Sequence, residues 1–121
     1  MALIAAAMIA VAAQAAEGTK VYVHFSDASA ERRDIAIRVG LLLEDQGVEV
    51  VDLRPVGIPI SVPTIRFFSP GQRDEAERLS RRLAAVIAGQ NLRPSSVRVQ
   101  DFTSYTPKPP DRALEVWLPS R

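Results

Sequence analysis

His24, Ser26 and Asp27 fall within four residues and supply the side-chain types of a nucleophile, a base and an orienting acid. A triad of that kind is defined by geometry, and its members usually come from separate elements. Here the Ser26-Asp27-Ala28-Ser29 run has the composition of a helix N-cap, so capping is the better reading and no residue is assigned a catalytic role. Other chemistries are removed by composition. The chain has no cysteine, so disulfides, thiolate metal sites and cysteine nucleophiles are excluded. It has one histidine, which excludes multi-histidine metal sites, and no loop has calcium-binding spacing. The sequence lacks a phosphate-binding G-x-x-x-x-G-K-[ST] loop, a G-x-S-x-G elbow and an H-E-x-x-H pair. No cofactor, no metal and no enzymatic activity are expected.

A second set of residues is spread along the chain. Tyr22, His24, Arg66, Phe68, Glu115 and Trp117 are aromatic, imidazole or charged residues that alternate with apolar ones inside three short β-like runs. If those runs pair, the six side chains share one sheet face. They would form a solvent-facing patch of three aromatics, one imidazole and one opposite-charge pair, a composition suited to binding. Three things could cover it instead: the Pro-rich 103–112 segment, the 54–63 connection or a second subunit.

The elements that must position these residues follow from periodicity. Thr19–Phe25 alternates and is β-branched and aromatic, so it reads as a strand. A helix follows to about Gln46, with Ile35, Val39, Leu42 and Leu43 as its buried stripe and Gly47 as its left-handed stop. Val48–Leu53 and Thr64–Phe68 read as the second and third strands, separated by a connection holding three prolines. Ser69-Pro70-Gly71-Gln72 is a helix start with capping-box spacing, and the second helix runs to about Ala88. Val97–Phe102 reads as a short extra strand and Ala113–Leu118 as the last.

Two helices against one sheet predict an α+β, two-layer α/β sandwich. The expected topology is ferredoxin-like βαββαβ with one extra short strand before the last, and with the first and third strands central. At 121 residues this is one domain, spanning 17–121.

Residues 1–16 carry no charge, and the apolar run Leu3–Ala13 has the length of a signal-peptide core ahead of Ala13-Gln14-Ala15. The run is short for a membrane span, which needs about 20 apolar residues. Cleavage and a periplasmic or secreted location are expected. The alternatives are an uncleaved inner-membrane anchor and a fragment of a longer protein.

The ordered pattern VYVHF, GLLLEDQGVEVV, Thr64-Ile65-Arg66-Phe67-Phe68 and DEAERLSRRLAAVIAG resembles the C-terminal domain of the LytR family of envelope proteins. The resemblance spans most of residues 20–119. It implies an accessory, non-catalytic envelope module and transfers no functional residue. The chain departs from the family in having Ser26-Asp27-Ala28 after the first strand and in the length of its VRVQDFTSYTPKPPD stretch.

The expected function is therefore a binding module using the open sheet face, with a cell-wall glycan or an envelope protein as partner. The alternative is an assembly subunit that buries the same face in an oligomer. RNA binding is the third reading, because Tyr22 and Phe68 occupy the strands that RNA-recognition motifs use for base stacking. The net charge of +1 and the export signal oppose it, so no nucleic-acid partner is expected.

Overall fold

Alternation between Val21, Val23 and Phe25 on one side and Tyr22 and His24 on the other forces the first strand to divide two environments. In the computed structural model, which describes residues 18–90 and 96–120, this strand is β1 (Lys20–Ser26). The leader segment expected over 1–16 lies outside the described residues. Five further elements follow it: α1 (Ala30–Asp45), β2 (Glu49–Val56), β3 (Thr64–Phe67), α2 (Arg73–Ala88) and β4 (Arg98–Asp101). The last strand, β5 (Leu114–Trp117), follows a short 3-10 turn at Pro110–Arg112. The chain is thus the two-layer α+β sandwich expected.

The odd-numbered residues of β1, Ile65 and Phe67 of β3, and Leu114, Val116 and Leu118 at β5 face the helices. They meet Ile35, Val39 and Leu43 of α1 and Ala76, Leu79, Leu83 and Ile87 of α2 in one core. Both helices lie on this face and touch each other.

Local chemistry sets the helix boundaries. The Ser29 side chain accepts from the Arg32 amide and opens α1. At the other end Gly47 takes φ +86°, and the Val48 and Gly47 amides donate to the Leu43 and Glu44 carbonyls. This is a Schellman stop, and it buries Val48 against Leu43.

The strand order is β2-β1-β5-β3-β4, not the ferredoxin-like order. The expected arrangement put β1 and β3 at the centre; the last strand takes that place instead. β5 runs parallel to β1 and antiparallel to β3, while β1–β2 and β3–β4 are parallel neighbours joined through α1 and α2. Apolar content explains the choice. Leu114 and Val116 are fully buried between two neighbours, whereas the proline-bearing, largely exposed β2 and the polar β4 occupy the edges.

Strand β2 also runs to Val56, three residues past the expected end, straight through Pro55. An edge strand tolerates proline because its outer side needs no donor. The same edge carries an extra residue, Val51, at a register shift, and the Leu53 amide donates to its own neighbour's Asp52 Oδ1 at 2.9 Å. These features leave the edge poorly suited to pairing with another strand.

Candidate functional site

Strand register places the second face in two rows. One row crosses the sheet as Arg54, His24, Trp117, Thr64 and Arg98. The other runs Asp52, Tyr22, Glu115, Arg66 and Gln100. Five of the six expected site residues, Tyr22, His24, Arg66, Glu115 and Trp117, are therefore brought together on three adjacent strands.

Within the rows the side chains form a stack. The His24 and Trp117 rings lie 4.3 Å apart with 3° between their planes. The Arg66 guanidinium carbon sits 4.2 Å from the Trp117 ring centre and 4.5 Å from that of Phe102. Because β5 lies between β1 and β3, the imidazole and the guanidinium approach Trp117 from opposite sides. The Arg54 guanidinium covers Tyr22 at 4.0 Å. Cation–π contacts of this kind contribute about 0.5–2 kcal/mol each, more when shielded from water.

Glu115 joins the members of the stack. Its carboxylate accepts from Trp117 Nε1 at 3.0 Å and lies 3.6 Å from His24 Nε2 and 3.9 Å from an Arg66 terminal nitrogen. Burial pushes the Glu115 carboxyl up, but the nearby His24 ring, the Trp117 Nε1 donor and the Arg66 charge outweigh it. The net shift is below the usual carboxylate value. Both His24 ring nitrogens are buried and lack a hydrogen-bond partner within 3.5 Å.

The patch differs from expectation in its exposure. Tyr22, His24 and Phe68 are only 6%, 8% and 4% exposed. Tyr22 lies under Arg54, and His24 lies against Trp117. Phe68 packs against Phe102 and Tyr105, at centroid distances of 6.0 and 6.4 Å, and so meets the stack through Phe102, the ring that Arg66 also covers. Tyr105, from the Pro-rich segment, is one of the rings packed on it, while Gln72 closes the base of that turn. The buried Gln72 amide accepts from the Phe68 and Ser69 amides and donates to the Arg112 carbonyl.

Sequence reasoning missed Arg54, Thr64, Arg98, Gln100 and Phe102. All are even-numbered, in the same alternation that gave Arg66, and all required the register to be known. Arg66 Nε donates to Gln100 Oε1 at 3.3 Å, which extends the network to the β4 edge.

The 54–63 connection borders this face. Residues 58–62 form one wall of a cleft of about 150 Å³, and Thr64, Arg66, Arg98, Gln100 and Trp117 form the rest. The wall is pinned. The Ile60 amide donates to Ser120 Oγ at 2.7 Å, and the Ser120 amide returns a bond to the Ile60 carbonyl at 2.8 Å. Thr64 Oγ1 donates to the Val62 carbonyl at 2.9 Å.

Among the described residues, no group of three or more His, Cys, Asp or Glu side chains is placed to hold a metal ion, and no helix is long and apolar enough to cross a membrane. No protein-family model matches the chain, and neither a curated protein nor a solved structure matches it.

Proposed function

We propose that this chain is a non-catalytic binding module of the bacterial cell envelope, secreted or periplasmic, whose partner is a cell-wall glycan or an envelope protein. The observation that carries the reading is the pre-organised polar face of β1, β5 and β3. Glu115, Arg66 and Gln100 are fixed there by one another and by the Trp117 ring, beside a pinned cleft. A surface whose rotamers are locked before binding loses little entropy on association. The envelope setting rests on the apolar leader-like segment and on the resemblance to the LytR C-terminal domain.

The geometry changes how a ligand would be held. Trp117 has His24 on one side and Arg66 on the other, so neither ring face is free to stack on a sugar. A ligand would meet ring edges, guanidinium donors and the cleft. The same geometry disfavours RNA binding, because Tyr22 and Phe68 offer no open ring face for a base. It also weakens the assembly reading for this face, since its own side chains already bury most of its apolar atoms.

Co-sedimentation of the full chain with isolated peptidoglycan sacculi tests the proposal. Pelleting that is lost in a folded Arg66→Ala/Trp117→Ala variant supports a glycan partner. Failure of the parent chain to pellet removes the glycan and moves the search to envelope proteins crosslinked to this face. If neither is captured, the reading is wrong.

A further inference from the structure

Arg98 and Arg66 are diagonal neighbours on the parallel strands β3 and β4, and both line the cleft beside residues 58–62. Among the described residues, no acidic one lines it. Among the described residues Arg98 has no carboxylate within 4.0 Å and makes no side-chain hydrogen bond, whereas Arg73, on the helix side of the sheet, is paired with Asp101 at 3.4 Å. Arg66 donates to Gln100, and its one nearby carboxylate, Glu115, stands at 3.9 Å and is shared with His24 and Trp117. A guanidinium carries five N–H donors in a rigid fork, so most donors of this pair have no protein acceptor.

The cleft is therefore a preformed hollow lined by two cations, of which Arg66 alone has a nearby carboxylate, Glu115, behind the lining. Its volume of about 150 Å³ is far above the ~10–15 Å³ that one water needs. Ser61, Thr64 and Gln100 add neutral polar groups around the same space. We infer that this cleft binds the oxyanion of a small acidic ligand group, a carboxylate or a phosphate, between Arg98 and Arg66. Fork geometry suits both anions through paired, charge-assisted N–H···O bonds. Trp117 sets the floor of the site and holds the Arg66 plane in position; it does not contact the ligand by stacking. The inference deepens the binding reading of this face by naming the chemical group recognised.

The test is a titration of the full chain with glucuronate, orthophosphate and glucose, read on the arginine Nε–Hε and Trp117 indole NMR signals. Saturable shifts of Arg98 and Arg66 with an anion, and none with glucose, are expected. Preference for glucuronate identifies an acidic sugar as the source; preference for orthophosphate identifies a phosphorylated group. Arg98→Gln, at an exposed edge position, should weaken anion binding roughly tenfold with the fold intact, and Arg33→Gln on the exposed side of α1 should not. Absence of saturation with both anions, or equal affinity in Arg98→Gln, overturns the inference. The two claims fail separately. A chain that pellets with sacculi but ignores both anions keeps the face and loses the oxyanion site. One that binds anions but no envelope component keeps the site and loses the envelope reading.

Discussion

His24 and Trp117 are directly opposed across the parallel pair β1–β5, and their rings stack at 4.3 Å, only 3° from parallel. This contact fills one side of the chain's single tryptophan, and Arg66 fills the other. The face that looks like an open aromatic platform in sequence is a closed stack with polar edges.

Glu115 accepts from Trp117 and lies beside both His24 and Arg66, so Glu115→Gln should destabilise the protein by about 1–3 kcal/mol, the cost of weakening a charge-assisted bond and its neighbouring contacts in a half-buried site. Urea unfolding measures it. The slope of the transition should stay constant, because the surface exposed on unfolding is unchanged. An unchanged midpoint would mean that Glu115 does not hold the stack together.

Acid should weaken the fold through the same residue. The folded-state carboxyl of Glu115 titrates below its unfolded value, so the folded protein binds fewer protons there. Its stabilising contribution is complete above the unfolded value and is lost as pH falls through the folded one. Asp101, lowered by side-chain and backbone hydrogen bonds from Thr103, acts in the same direction. Thermal midpoints measured from neutral to acidic pH should fall below the ordinary carboxylate range, and Glu115→Gln should flatten the curve.

Gln72 links the turn after β3 to the segment entering β5, and it is 3% exposed. Gln72→Ala leaves the Phe68 and Ser69 amides and the Arg112 carbonyl without that partner, and should cost about 1–3 kcal/mol. Hydrogen exchange should show the Phe68 amide opening in the variant while amides of β1 stay protected. Equal loosening of β1 would show that the turn is no separate unit.

Gly47 is the position where the backbone itself sets the residue. At φ +86° a side chain is strained, and Gly47→Ala should cost about 1–2 kcal/mol in a denaturant melt. A neutral effect would contradict the Schellman stop described for α1.

Much of the fold was legible because it depends on local pattern. The alternation in VYVHF and in ALEVWL assigns Val21, Val23, Leu114 and Val116 to the core, and the stripe of Ala76, Leu79, Leu83 and Ile87 orients α2. Strand order was not legible, since it depends on which strand gains most from two neighbours. The buried Leu114 and Val116, set against Pro55 in β2 and the polar RVQD of β4, were the available signal. The same alternation put Tyr22, His24, Arg66, Glu115 and Trp117 on one face, as the register shows. The burial of Phe68 was not legible because its surroundings are set by the path of a non-repeating loop, which brings Phe102 and Tyr105 onto its ring. Arg98 and Gln100 escaped notice because they become neighbours of Arg66 only through the β3–β4 register.

The most direct test of the central claim is an amide and side-chain NMR map of the full chain with soluble peptidoglycan fragments added. Shifts centred on the Trp117 indole, Arg66, Arg98 and Gln100 are predicted. Shifts confined to the exposed apolar residues Ile37, Leu41 and Val51 at the α1–β2 edge would contradict it, because the ligand would then use a different surface.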